Sequence, residues 1–574
     1  MNILGIHDGH NCGATLVCDG RVVASVCEER LTRRKNEAGY PARAIEEVLR
    51  LGGVAAGELD EVVYASEFMH ARNYLENLEP WYVVGLADQR SEAERPGDYR
   101  RVVFETRRRE RIAAATDQLG IPAGKVSFVE HHLAHLAAAY FTAPNVRSGK
   151  PVLGLTCDGS GDGIAATVSV CRDGRFERIA VTDRHASLGK IYSRVTLLMG
   201  MKPWEHEYKI MGLAPYAEPE RAERAADKLR AVLRLRQDGL AFEQASELSM
   251  NYVYEYLENS FRRVRFDVVA AATQKFTEEM MVKWAQACVR KTGIGDLVCG
   301  GGVFMNVKAN MAIAALPEVR SMYVMPSASD ESLSIGAALL RAHERKPEAA
   351  ADLGTLTHLY LGGAFDRAAE ERALADRLDG VPVEITETND MELAVAELLA
   401  KGEIVARCSG AMEWGARALG NRSILASAHD FRTVDSINTM IKKRDFWMPF
   451  APSIRAESAG RYFDDPKDLK PWFMTFAFPT RAEGRTELAA ASHPRDGTIR
   501  PQVVGADANP GYHRLISHFE SLTGRGGVLN TSFNLHGEPI VHSPSDAVHV
   551  FVRSGLRHLA LGNFLVSKTG AAHG

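Results

Sequence analysis

The sequence predicts an α/β chain of two domains, the first built from a duplicated strand-rich unit. Three observations carry this. The chain has 574 residues, well beyond the roughly 250 to 300 at which one core stops growing. The order strand, glycine turn, strand, Asp-Gly hairpin, strand occurs at residues 2–27 and returns at residues 151–183, the signature of an internal repeat. After each copy, helical and strand periodicities alternate, as in sheets covered by helices.

Taken in order, residues 2–6 read as a short buried strand, and ATLVCDGRVVASVCEER as two strands joined at Asp19-Gly20, a strong hairpin signal. PARAIEEVLRLGG is an amphipathic helix closed by glycine, and ELDEVVYAS returns to strand. Residues 68–119, rich in Arg, Glu and aromatics, read as a helical insertion. Within it Arg107, Arg108, Arg109 and Arg111 read as a solvated helix face. VSFVE then leads into the helix HHLAHLAAAYF, and the second copy begins with PVLGLTCDGSGDG, its hairpin turn at Asp173-Gly174. A long helix, the strand DLVCGGGVFMN and SMYVMPSASDESLSIGAALLRA complete this domain, 1–345. Residues 346–356 read as a linker. HLYLGG, VPVEIT, a helix near 390–400, EIVARCS and SILASA begin a second α/β domain, 357–574. Two βββαβ units with facing glycine turns are the layout of the actin, sugar kinase and heat-shock ATPase folds, which hold nucleotide between their halves.

Composition narrows the function classes. Hydrophobic residues make up 45% and charged residues 25%, values of ordinary globular proteins. A net charge of −4 offers no general attraction to nucleic acid or to an anionic membrane. Eight cysteines without a C-x-x-C pair fit reduced, buried thiols, and with no signal-like start or 18-residue apolar run the expected location is cytoplasmic.

The most telling constellation is His131 and His135, with Asp158 in CDGSGDG and Asp330 in MPSASDES. Histidines four apart on a helix share a face, and two carboxylates from loops at strand ends complete a metal site. His132 points about 100° away around the helix and is not expected to be a ligand. Gly159 and Gly161, and then Gly300, Gly301 and Gly302, allow backbone to approach phosphate or nucleoside. His7 and His10 flank the first glycine turn, so at least one should face the cleft and be available as a general base. In the second domain Arg417, Arg422, Lys442, Lys443 and Arg444 lie among aromatic residues, with Asn530 and Ser532 in VLNTSFNLHGEP. This density predicts an anion site.

These pieces, together with EERLTRRKN, KIMGLAPYA, WGARALGNRSILA and MPFAPSI in this order, resemble the O-carbamoyltransferase family of the nodulation-factor, cephamycin and nebramycin enzymes. The resemblance implies a threonylcarbamoyltransferase-like first domain and a threonylcarbamoyl-AMP-synthase-like second domain. The second would make carbamoyl adenylate from carbamoyl phosphate and ATP. The first would pass the carbamoyl group to a hydroxyl of a small natural product, as in antibiotic tailoring. By the same resemblance the metal is an iron-type ion, Fe2+, with Mg2+ accompanying ATP, and His10 rather than His7 is the base. Lys209, Gly212 and Asn306 join the glycines as nucleotide contacts, and Arg417, Arg422, Lys443 and Arg444 grip phosphates with Asn530 and Ser532. No nucleic-acid or membrane partner is expected, and a homodimer is compatible with the family. The competing readings are tRNA modification, which needs a basic surface that the acidic balance does not supply, and an actin-like ATPase without carbamoyl transfer.

Overall fold

In a computed structural model, which describes residues 1–69, 82–93, 99–347, 355–378 and 380–569, the chain forms two compact units. The first comprises Met1–Glu28 and Asn36–Leu356, the second Glu29–Lys35 and Thr357–Gly574. The seven-residue excursion of the early chain into the second unit departs from a contiguous division at 345/357. Much of the expected linker and part of the expected insertion lie outside the described residues. The described part of the insertion contains two helices, Leu86–Ala93 and Tyr99–Leu119.

The first unit contains the predicted duplication. One sheet is made of β1 (Asn2–His7), β2 (Gly13–Cys18), β3 (Arg21–Cys27), β4 (Glu61–Ala65) and β5 (Val126–Val129), in the order β3-β2-β1-β4-β5. The other is made of β6 (Val152–Gly161), β7 (Ile164–Arg172), β8 (Arg175–Asp183), β9 (Asp296–Gly300) and β10 (Ser321–Val324), in the order β10-β9-β6-β7-β8. Both are an antiparallel three-strand meander extended by two parallel strands. Both Asp-Gly turns close their hairpins with positive φ at Asp19 and Gly20 and at Asp173 and Gly174, the backbone that a two-residue loop requires.

Two helices join the halves. His131–Thr142 follows β5 of the first sheet but packs on β6 and β9 of the second, whereas Leu333–Arg345 follows β10 and packs on β1, β2 and β4 of the first. The helices also pack on each other. Small residues make this possible: Ala134, Ala137 and Ala138 are wholly buried, and a Cβ on Gly336 would sit 1.8 Å from the Ala134 carbonyl oxygen. The crossing thereby brings the ends of strands from both halves to one place.

The second unit is an eight-stranded mixed sheet of β11 (Val383–Glu387), β12 (Val405–Cys408), β13 (Arg422–Ala426), β14 (Ala451–Arg455), β15 (Gln502–Val504), β16 (Gly527–Ser532), β17 (His558–Leu561) and β18 (Phe564–Lys568), ordered β11-β18-β17-β12-β13-β16-β14-β15. Helices Met391–Ala400 and Pro510–Thr523 bury Val395, Leu399, Leu515 and Phe519 against Val405, Leu425 and Val528 of the sheet. HLYLGG does not enter this ladder. Its backbone instead exchanges hydrogen bonds with Met412 and Trp414. Among the described residues all eight cysteines are free, seven of them buried, and no helix is long and apolar enough to cross a membrane.

Candidate active site

The duplication sets the site. His7 and His10 lie at the end of β1 and Asp158 toward the end of β6, equivalent strands of the two halves. His131 opens the helix after β5, and Asp330 immediately precedes the helix after β10, again equivalent positions. One donor atom from each of His131, His135, Asp158 and Asp330 lies within 4.8 Å of the others. His131 Nε2 is 3.2 Å from Asp158 Oδ2 and 3.7 Å from Asp330 Oδ1, and His135 Nε2 is 3.6 Å from Asp330 Oδ1.

Each imidazole is oriented from behind. The Ser66 hydroxyl is 2.9 Å from His131 Nδ1, and the Ser332 hydroxyl is 3.4 Å from His135 Nδ1, which leaves both Nε2 atoms turned toward the carboxylates. Glu130 caps the helix by accepting from the amides of His132 and Leu133, and Asp162 accepts from the amides of His131, Glu67 and Phe68. His135 Nε2 and Asp330 Oδ1 are buried without a hydrogen-bond partner. Buried polar atoms are seldom left so, and two imidazole nitrogens with two carboxylates are a donor set for a divalent transition metal. The residues present fit such an ion.

Electrostatics agree with that arrangement. Burial works against a charged His131, but Asp330 and Asp158 outweigh it and raise the imidazole to about 9. Asp330, against burial, is held well below the usual carboxylate range by His10, His131, His135 and His7. Burial and Asp330 both oppose ionisation of Asp158, yet His131 and His135 hold it at about 2. His132, buried, pushed down to about 3 by that burial and bonded to Thr156 and the Ile164 carbonyl, is a structural residue.

The two early histidines differ in kind. His7 is fully buried, which lowers it to about 3, and its Nε2 meets the His10 carbonyl oxygen at 3.1 Å. His10 is 19% exposed, with Nδ1 3.3 Å from Asp330 Oδ2, and its ring stacks on Trp204 at 4.6 Å. Only His10 thus has both solvent access and a place beside the cluster. Trp204 adopts φ 64° while its amide donates to Glu207 at 2.7 Å, a carboxyl that burial pushes up to about 7.

Two of the glycines crowd the four-donor cluster. A Cβ on Gly161 would meet the His131 ring at 2.0 Å, and one on Gly302 would meet Asp158 Oδ1 at 2.7 Å. Gly302 N–H also donates to that oxygen at 3.1 Å. Gly159 belongs to β6, Gly300 ends β9 against the backbone of His135, and Gly301 follows it against the backbone of Cys157. Asn306 caps the Val307–Ala314 helix and pairs with Gln274, so its amide is engaged within the protein. Lys209 and Gly212 lie on the Glu207–Leu213 helix. Arg111 corrects the expectation of a solvated face, for it is 6% exposed and bidentate to Asp8 at 2.8 and 2.9 Å. It also donates to the carbonyls of Ala65, Ser66 and Glu67, bracing the ends of β1 and β4.

In the second unit the predicted cations separate. Arg422, 1% exposed, donates to the carbonyls of His542, Ser409, Gly410, Asn421 and Gly363, so its fork braces loops instead of facing a ligand. Lys442 is buried and donates to Ser532 and Asn534. Asn530 gives its amide N–H groups to Ala418, Ser453 and Gln502, but its Oδ1 is buried and unpaired. Arg444 is half-buried, bonds Thr531 Oγ1 at 3.0 Å and lies over Phe450. Arg417 is half-buried in the loop before β13, and Lys443 is exposed with φ 47°.

Comparison with known proteins agrees with this two-unit arrangement. The family described as carbamoyltransferase N-terminus matches residues 2–339, and carbamoyltransferase C-terminus matches residues 396–568. An uncharacterized protein of Synechocystis sp. is 32% identical over 99% of this chain and 97% of its own. The nodulation protein NolNO of Sinorhizobium fredii is 31% identical over 99% of this chain and 80% of its own. The 3'-hydroxymethylcephem-O-carbamoyltransferase of Streptomyces clavuligerus is 29% identical over 62% of this chain and 63% of its own. The chain belongs to the carbamoyltransferase family and is a carbamoyltransferase enzyme.

Proposed function

We propose that this enzyme is an ATP-dependent O-carbamoyltransferase whose second unit makes carbamoyl adenylate from carbamoyl phosphate and ATP and whose first unit transfers the carbamoyl group to a hydroxyl of a small natural product. The observation that carries the transfer half is the convergence of four metal-type donors within 4.8 Å, with His10 on the remaining oxygen of Asp330. His131, His135, Asp158 and Asp330 would hold a divalent ion, iron by the family resemblance, and such an ion would supply positive charge for the phosphate of the leaving AMP.

The chemistry requires two stages. Water first cleaves carbamoyl phosphate to carbamate and phosphate. Carbamate is a poor electrophile because its charge and resonance deactivate the carbonyl, so one of its oxygens then attacks the α-phosphate of ATP, giving carbamoyl adenylate with loss of pyrophosphate. Arg417, Lys443 and Arg444 are the cations of the second unit assigned to the phosphates, while Arg422 and Lys442 hold the loops that carry them. In the transfer stage the Nδ1 side of His10 is held by Asp330, and the other nitrogen takes the proton of the acceptor hydroxyl. That oxygen bonds to the carbamoyl carbon as the bond to the adenylate oxygen breaks, giving the carbamate ester and AMP. Trp204, stacked on the imidazole, holds its plane.

The test is incubation of the full chain with ATP, carbamoyl phosphate and a panel of hydroxylated natural products. Pyrophosphate release that requires carbamoyl phosphate, followed by a product heavier by one carbamoyl group, is expected. Phosphate release from ATP without carbamoyl phosphate, and no carbamoylated product, would reject the reading.

A further inference from the structure

The excursion Glu29–Lys35 carries two arginines with opposite degrees of satisfaction inside the second unit. Arg33 is an anchor. Its guanidinium donates to the carbonyls of Ile540 at 2.7 Å and Pro539 at 2.9 Å and lies 3.7 and 3.8 Å from the carboxylates of Glu538 and Asp546. Nothing about that side chain asks for a further partner.

Arg30 does. It is 2% exposed, and Nη2 donates to the Gly415 carbonyl at 2.6 Å. Its Nε stands 3.5 Å from a Glu29 carboxylate oxygen without forming a hydrogen bond, and Nη1 has no partner at all. A guanidinium presents five N–H donors in a planar fork, and burying several of them unpaired costs free energy that a scaffold role does not repay. The contrast with Arg422, whose fork is spent on five carbonyls, makes the point within the same unit.

The surroundings name the chemistry of the missing partner. Gly415, which holds Nη2, is followed by Ala416 and Arg417 in the loop assigned to phosphate binding. Lys35, at the other end of the excursion, is close enough to Lys442 to oppose its charge. Lys442 in turn holds Ser532 and Asn534, and its carbonyl is bonded by His536. The excursion therefore adds cations to a region already rich in them, which favours an oxyanion of high charge density over a neutral ligand or a metal.

We propose that Arg30 is a phosphoryl-binding residue of the second unit, its unpaired Nη1 and Nε N–H groups receiving oxygens of phosphate. The proposal deepens the adenylate-forming reading and rests on it for the choice between two sources of that group, carbamoyl phosphate and the ATP polyphosphate. It also implies that residues 357–574 expressed alone lack part of their own substrate site.

The test uses the full chain and the variants Arg30→Lys and Arg30→Met, titrated calorimetrically with carbamoyl phosphate and, separately, with inorganic pyrophosphate. Arg30→Met is expected to weaken at least one of the two by about 10- to 100-fold. Arg30→Lys, which keeps the buried charge and so the fold, should weaken it by about 3- to 10-fold because the fork is lost. An effect on carbamoyl phosphate alone assigns Arg30 to the carbamoyl donor, and one on pyrophosphate alone assigns it to the nucleotide. Unchanged affinity for both in Arg30→Lys, with or without a lower melting temperature, overturns the proposal, as does failure of the wild-type chain to bind either anion. A separate assay of pyrophosphate release judges the adenylate reading: a wild-type chain that binds these anions through Arg30 but makes no pyrophosphate would sink that reading and leave this one standing.

Discussion

The polar clusters of the two units differ in residue type, imidazoles and carboxylates in the first and cations with amides in the second, and they differ also in what is satisfied. In the first unit each metal-type imidazole is held from behind by a serine, and the atoms turned inward include His135 Nε2 and Asp330 Oδ1, buried with no partner. In the second unit two buried cations, Arg422 and Lys442, have their donors taken up by carbonyls, a hydroxyl and an amide oxygen. Residue type and burial locate a polar region, but open valence tells a ligand site from a brace. By that criterion Arg30 belongs with His135 and Asp330, and Arg422 with His132.

Substitutions can break this comparison, beginning with the largest effect. Asp158→Asn removes a charge from the four-donor set and should lower carbamoyl transfer by at least about 10⁴-fold, with bound metal lost; elemental analysis and a transfer assay read both. His10→Asn should lower transfer on the order of 10³-fold while pyrophosphate release continues, because the proposed reading assigns the two stages to different units. Normal transfer by that variant would remove His10 from the mechanism. Arg422→Met should cost roughly 3 kcal/mol of stability in chemical denaturation, since it strands several buried carbonyls, and any folded enzyme should keep its affinity for ATP. A specific rise in the KM for ATP without loss of stability would return Arg422 to the phosphate-binding set. Ser66→Ala should weaken metal binding about 10-fold by freeing the His131 ring, with the fold unchanged; isothermal titration with the metal reads this.

A subtler expectation concerns the metal-free chain. His131 is raised from 6.5 to about 9 by Asp330 and Asp158 against the effect of burial. A group with a raised folded-state pKa contributes stability that is complete below pH 6.5 and fades as the pH rises through 9. Denaturant unfolding of the metal-free protein should therefore show declining stability across that window, and His131→Gln should flatten the slope. An identical slope in the variant would show that another group is responsible.

Local patterns made part of this architecture legible. The Asp-Gly turns announced both hairpins, and the four-residue spacing of His131 and His135 put two donors on one helix face before any tertiary information was needed. The carboxylates were legible because Asp158 and Asp330 stand beside glycine and serine turns at strand ends. What pairs across long separations was not. Arg111 looked like one more arginine on a polar helix, because nothing near it in sequence reports that Asp8 lies against it. Ser66 orients the histidine helix from a distant turn and has no motif, and Asp162, although it stands in CDGSGDG, gives no sequence signal that it accepts from the His131 amide. Arg422 sat in a cation-rich segment, and only the tertiary structure shows that its partners are the carbonyls of Gly363 and His542. The excursion at Glu29–Lys35 is a charged run after a strand of the first unit, and nothing in that run reports its partners at Gly415 and Pro539–Ile540. The region around residues 70–81 and 94–98, in the expected insertion, lies outside the described residues.

The most direct test of the central claim is an anaerobic titration of the metal-free chain with iron(II), run beside His131→Ala and Asp330→Asn and coupled to the transfer assay. The account predicts one tightly held ion per chain in the wild type, appearance of transfer activity in step with that ion, and loss of both in each variant. Full transfer activity in a chain that holds no metal, or undiminished binding in both variants, would contradict it.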